Sequence, residues 1–257
     1  MKTFNQELKN EIVTEIIRHR KADQIIQGTY GTGNGDEWKG CAVGCAIRSL
    51  NIKKGMNLNV SSHIVYEDQF GIPVVLARLE DRIFEGLSVE NCKTWPENFM
   101  YAIPVNTDLS LVWPKFAVWL LNEVIGYAKN DDQRLAIKDV TDLYLKVISG
   151  ETVSAEQWRS ARRNVGNCIT DAYAAHDAVT VYSAATAAAA AYYDAATATA
   201  TNTAYAADAA ACAADAYAYA AHDAATVYVD AAAYNAHRII FYKKMADKLI
   251  EILGNTK

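Results

Sequence analysis

The run from Asn164 to His237 holds 74 residues without a Lys, an Arg, a Glu or a Pro. Ala dominates it, seven Asp and recurring Tyr interrupt it, and Gly166 is its one glycine. Ala is the strongest helix former, and Tyr is bulky enough to fill gaps between helices that approach closely. Disordered tails are poor in aromatic residues, so this composition predicts packed helices. It constrains architecture and leaves chemistry open.

The run also repeats itself. Residues 175–182 read AHDAVTVY and residues 221–228 read AHDAATVY, seven of eight identical at an offset of 46. Half that offset relates Thr180, Thr203 and Thr226, and likewise Tyr182, Tyr205 and Tyr228. A period of 23 does not return to the same face of a straight helix. One helix plus a turn per period is therefore expected, in an antiparallel zigzag capped by Asp177, by Thr201 or Asn202, and by Asp223. The rival layout is two long helices hinged near Thr199.

The remainder reads as mainly α. Phe4, Leu8, Ile12, Val13, Ile16 and Ile17 recur at helical spacing and predict a helix over 4–20. Six of the 13 glycines fall between 28 and 44, which predicts a small β-hairpin near residues 25–41 and a helix from Ala42. Ser61 or Ser62 can cap a helix carrying His63 and Glu67 that ends near Gly71. Further helices are expected over 74–84, 112–121 and 131–148, with Pro114 tolerated in a first turn. Pro96, Pro104 and Pro114 are expected to punctuate short segments. Ser154 and Gln157 form a capping box at the head of another helix. These elements predict a compact helical domain over 1–150 and Ala/Tyr-rich helical repeats over 151–257. The segment Arg238–Leu253 would dock back onto the N-terminal region.

Charge excludes some functions. The net charge is −5: residues 1–163 carry 20 basic and 21 acidic groups, 164–237 none and seven, and 238–257 five and two. No basic footprint for nucleic acid is present. Met1–Glu11 lacks the apolar core of a signal peptide. Asp194, Asp208, Asp215, Asp223 and Asp230 would be costly in hydrocarbon, which argues against a membrane role. Five cysteines without an export signal point to reduced thiols and a cytoplasmic location.

Three places carry candidate chemistry. Cys41 and Cys45 lie four apart where a helix is expected to begin, and His63 and Glu67 form a second such pair. Cys41, His63 and Glu67 have the composition of nucleophile, base and orienter. The plainer reading is two buried cysteines and a capping histidine. A zinc site of Cys41, Cys45 and His63 would use wider Cys spacing than structural zinc knuckles favour. The duplicated pairs His176–Asp177 and His222–Asp223 offer two imidazoles and two carboxylates for a divalent metal, or simply helix caps. The glycines at 31, 33 and 35 could cradle a phosphate, but the Gly-Lys-Ser/Thr ending of a P-loop is missing. Nothing in the sequence requires a cofactor.

Several stretches resemble a family of tailed-phage and bacterial proteins with no established activity. They are KGCAVGC (39–45), HIVYEDQFGIP (63–73), LARLEDRIFEGL (76–87), AIPV (102–105), DLSLVWPKFAVWLL (108–121), SAEQWR (154–159) and MADKLIEIL (245–253). The resemblance implies a phage or prophage accessory protein acting in the bacterial cytoplasm, and it places Cys41, Cys45, His63 and Glu67 inside family-like motifs. Three functions follow as expectations. The first is a non-enzymatic protein that binds a host protein or a small ligand. The second is a thiol-dependent or metal-assisted hydrolase using Cys41 and His63. The third is an oligomeric structural protein whose Ala/Tyr helices pack between subunits.

Overall fold

The computed structural model describes residues 4–170, 186–187, 200–223 and 231–256. Helices account for nearly all regular structure among them, and the chain divides into two units. Unit 1 comprises Met1–Ser110 and Met245–Lys257, and unit 2 comprises Leu111–Lys244.

Unit 1 begins with α1 (Gln6–Lys21), whose first turn is capped by Asn5 accepting from Leu8 N. Ile12, Val13 and Ile16 are buried as their spacing predicts, and His19 is fully buried with them. Next come α2 (Ala42–Lys54), α3 (Val74–Gly86) and α4 (Val89–Ala102), with α1 packed on α2 and α4, and α3 on α2 and α4. Helix α4 runs through Pro96, where the sequence suggested a break. Trp95, Phe99 and Met100 are buried around it, and the Trp95 indole donates to the Glu80 carbonyl at 3.1 Å. That packing outweighs the lost helical hydrogen bond, whose cost is about 3 kcal/mol.

The expected β-hairpin over 25–41 is not formed. Two isolated bridges stand in its place, a parallel one joining Ile25 to Gly40 and an antiparallel one joining Thr32 to Lys39. Gly33 and Gly35 take positive φ, and a 3-10 turn follows at Gly35–Glu37, so the backbone curls and no ladder can extend. It curls around Trp38. A Cβ on Gly40 would lie 2.6 Å from that ring.

Between α2 and α3 the predicted helix from Ser61 or Ser62 is a short turn that widens into a π-helix, Tyr66–Phe70. It closes at Gly71, whose φ of 68° is the left-handed conformation glycine allows. From the other end of the chain, Met245, Leu249 and Leu253 are buried in unit 1.

Unit 2 holds α5 (Val112–Val124), α6 (Asp131–Ile148), α7 (Ala155–Thr170), α8 (Ala200–Asp223) and the first part of α9 (Ala231–Gly254). The capping box is made in both directions. Ser154 N donates to Gln157 Oε1 at 2.8 Å, and Gln157 N donates to Ser154 Oγ at 3.3 Å. Helix α8 packs on α5 and buries Ala209, Ala210, Ala213, Ala214, Ala216 and Ala218, a face of small side chains that allows close approach. Tyr217 stacks on Phe241, centroids 5.1 Å apart. The other turns of the expected zigzag lie outside the described residues.

Candidate functional site

Five segments of unit 1 bring ionisable side chains together around the start of α2. Cys41 is the N-cap of that helix, and its Sγ accepts from Gly44 N at 3.5 Å. Tyr30 can lie over this helix end because residue 44 is glycine. A Cβ there would sit 1.7 Å from the Tyr30 carbonyl oxygen.

Helix α3 supplies the carboxyls. Asp81 and Glu85 are one turn apart on the same face, and Glu80 falls on the apolar stripe of Leu76, Leu79 and Ile83. Asp81 Oδ2 accepts from the Tyr30 hydroxyl at 2.9 Å and meets His63 Nε2 at 3.1 Å. Its other oxygen, Oδ1, is buried without a hydrogen-bond partner. Glu85 stands at the exposed rim, where both its oxygens accept from Gly28 N at 3.1 and 2.9 Å. One ligand atom each from Cys41, Asp81 and Glu85 lie within 4.8 Å of one another, the set among the described residues that could hold a metal ion.

Behind this trio lie two fully enclosed polar groups. Glu80 is 1% exposed and neither of its carboxyl oxygens has a partner. Tyr66 is 0% exposed and its hydroxyl has none. Burial, followed by the charges of Asp81 and Glu85, holds the Glu80 carboxyl well above the usual range. Burial also pushes the Cys41 thiol up, with the Asp81 charge adding to it and the Gly44 N–H opposing. Tyr30 is raised by burial and then by Asp81. The cluster is therefore poised to hold protons in the absence of a counter-charge.

The candidates read from the sequence are placed as follows. Cys41 and His63 both border Asp81: the Cys41 sulfur lies within 4.8 Å of a carboxylate oxygen and His63 Nε2 lies 3.1 Å from Oδ2. Glu67 faces elsewhere: its Oε2 accepts from Val74 N at 3.1 Å and serves the first turn of α3. Cys45 is fully buried, with its Sγ 3.5 Å from the Gly40 carbonyl. The glycine loop at 31–35 is filled by the Trp38 indole, which a Cβ on Gly31 would meet at 2.9 Å. His176 and Asp177 lie outside the described residues, and His222 and Asp223 close α8. Tyr30, Tyr66, Glu80, Asp81 and Glu85 were not singled out from the sequence. A signal for Glu80 was present, since a carboxylate on an apolar helical stripe must find a special environment.

No family model, curated protein or solved structure matches the chain.

Proposed function

We propose that this chain is a non-enzymatic binding protein, an accessory protein of the phage-associated type it resembles, and that unit 1 holds a small ligand at the Cys41–Asp81 cluster. One observation carries the reading. Tyr66 Oη, both oxygens of Glu80 and Asp81 Oδ1 are buried without partners in one neighbourhood. Each such atom costs about 1–3 kcal/mol when left unsatisfied, and a bound ligand offsets that cost.

The hydrolase reading has less support. A thiol nucleophile needs a base that takes its proton, with a third group orienting the base. Here Asp81 orients His63, but among the described residues Cys41 Sγ meets Gly44 N and not the imidazole, and burial drives the thiol toward its protonated form. Binding of a host protein through the acidic α8 face is also weakened, because Asp215 is engaged within unit 2. It accepts from the Tyr234 hydroxyl at 2.9 Å and pairs with Arg238 at 2.5 Å. Among the described residues no helix is long and apolar enough to cross a membrane.

The test is native mass spectrometry of untagged protein purified without chelators, set against its denatured mass. A retained added mass that falls in occupancy in Asp81→Asn supports the reading. A bare native mass, together with no thermal shift across a panel of metals and metabolites, sinks it.

A further inference from the structure

This inference rests on the cluster being a binding site and names what it binds. We propose that Cys41 Sγ, Asp81 Oδ1 and Glu85 form a three-ligand site for a thiophilic divalent cation of the Zn2+ type, with Tyr30 and His63 fixing Asp81 from behind.

The division of labour at Asp81 is the strongest argument. Both hydrogen bonds it receives go to Oδ2, from Tyr30 at 2.9 Å and from His63 at 3.1 Å. Oδ1 is buried and unpartnered. Carboxylates that ligate metals are held in this manner, one oxygen on the metal and the other tied by outer groups that set its orientation. Glu85 is likewise tethered, by Gly28 N, at the exposed end of the trio. A cation can enter from that side and meet Cys41 at the buried end.

The dimensions fit. Tetrahedral zinc with bonds of about 2.0–2.3 Å holds its ligand atoms roughly 3.5 Å apart. One ligand atom from each of the three residues already lies within 4.8 Å of the others, so small side-chain rotations close the set. Electrostatics agree. Asp81 and Glu85 set two carboxylates beside the Cys41 sulfur. A divalent cation is drawn to that charge. It takes the place of the thiol proton, so that Cys41–SH and M2+ give Cys41–S–M+ with one H+ released to solvent.

Ligand chemistry selects the class. A thiolate beside two carboxylates suits Zn2+ or Co2+, whereas Mg2+ and Ca2+ take oxygen donors. Cys45 is excluded as the sulfur, because it is directed at the Gly40 carbonyl. Positive charge close by comes from Arg78 and Arg82 on α3: Arg78 acts on Tyr30 and Arg82 on Glu85. Those two guanidiniums offset part of the negative charge, which favours one bound cation over several.

The experiment titrates Co2+ into full-length, chelator-stripped protein and follows the near-ultraviolet thiolate-to-cobalt band. Wild type and Cys45→Ser should show the band at one cobalt per chain, bleached by Zn2+. Cys41→Ser should lose it, and Asp81→Asn should bind at least about 10-fold more weakly, with far-UV circular dichroism unchanged in each. Absence of the band in wild type overturns the proposal, as does a band that survives in Cys41→Ser and is lost in Cys45→Ser. Native mass spectrometry separates the two levels. A retained organic mass with no cobalt band overturns the cation and leaves the binding reading standing. No retained mass and no band removes both.

Discussion

Two buried polar clusters share helix α2 and differ in one respect. At its C-terminal half His19 is satisfied on both sides: Nδ1 lies 2.6 Å from Gln24 Oε1 and Nε2 2.9 Å from Ser49 Oγ. Ser49 Oγ also lies 2.8 Å from the Cys45 carbonyl, its one proton shared between that oxygen and the imidazole, and the Gln24 amide donates to the Asp36 carbonyl at 3.1 Å. At the N-terminus, Tyr66, Glu80 and Asp81 keep polar atoms without partners. Equal burial with opposite satisfaction separates a structural network from a site. A network closed within the protein specifies the fold, and an open one specifies what the protein takes up.

The largest effect expected is at Gly44, where the open cluster depends on backbone contact. Gly44→Ala would drive a Cβ to 1.7 Å from the Tyr30 carbonyl, and neither helix nor loop can yield cheaply. A loss of at least about 3 kcal/mol is expected, at the upper end of overpacking, read from urea unfolding. A near-neutral result would mean that the loop at Tyr30 moves freely and does not hold Asp81.

The next effect is a difference in sign. His19→Leu leaves Gln24 Oε1 and Ser49 without their partner and should cost about 2 kcal/mol. Glu80→Leu removes two unpaired oxygens from an apolar stripe, so metal-free protein should be unchanged or up to about 2 kcal/mol more stable. Equal losses in the two variants would show that Glu80 has a structural role like that of His19, and the distinction between the clusters would fall.

Much of the frame of this comparison was legible in the sequence. Periodicity placed α1 and α3, and Ser154 with Gln157 marked the start of α7, because those signals are local. Pro96 misled, since what carries α4 through it is packing of Trp95 and Phe99, a non-local cause. The β-hairpin misled because glycines that permit a turn also permit a curl around Trp38. At the site, Cys41 and His63 were visible as reactive types, but Asp81 was not. Nothing local tells a surface Asp from one that Tyr30 and His63, 51 and 18 residues away, converge upon. Glu67 sat at an attractive spacing and is used to finish a helix.

A smaller expected effect is on pH dependence, where the clusters should oppose each other. Folded Glu80 holds its proton more tightly than it does in the unfolded chain. Its contribution is full below the ordinary value of 4.5 and is lost as pH rises toward the folded value. His19 is shifted down, chiefly by burial, so its contribution is full above the ordinary 6.5 and is lost as pH falls. In metal-free protein between about pH 5 and 8, Glu80→Leu should make stability rise more steeply with pH, and His19→Leu should make it rise less. Parallel slopes in the two variants would contradict the assignment of protonation states.

The smallest effect sharpens the closed cluster alone. The Arg48 guanidinium lies 4.6 Å from the Trp38 ring centroid and donates to the Gly35 carbonyl at 3.0 Å. Trp38 in turn packs against His19, centroids 5.7 Å apart. Arg48 therefore steadies the ring that covers His19, and its charge adds to burial and Arg18 in keeping that imidazole neutral. Arg48→Gln removes a cation–π contact of about 0.5–1 kcal/mol and one nearby positive charge. Stability should fall by about that amount, and the His19 ring proton titration, followed by NMR, should move modestly toward the ordinary histidine value. Cobalt binding should not change, because Arg48 lies about two turns along α2 from Cys41 and its guanidinium is engaged by Trp38 and the Gly35 carbonyl. A shift in His19 with no change in cobalt affinity keeps the two clusters independent. A joint change would mean that α2 transmits strain between them, and that the closed network also sets the geometry of the open one.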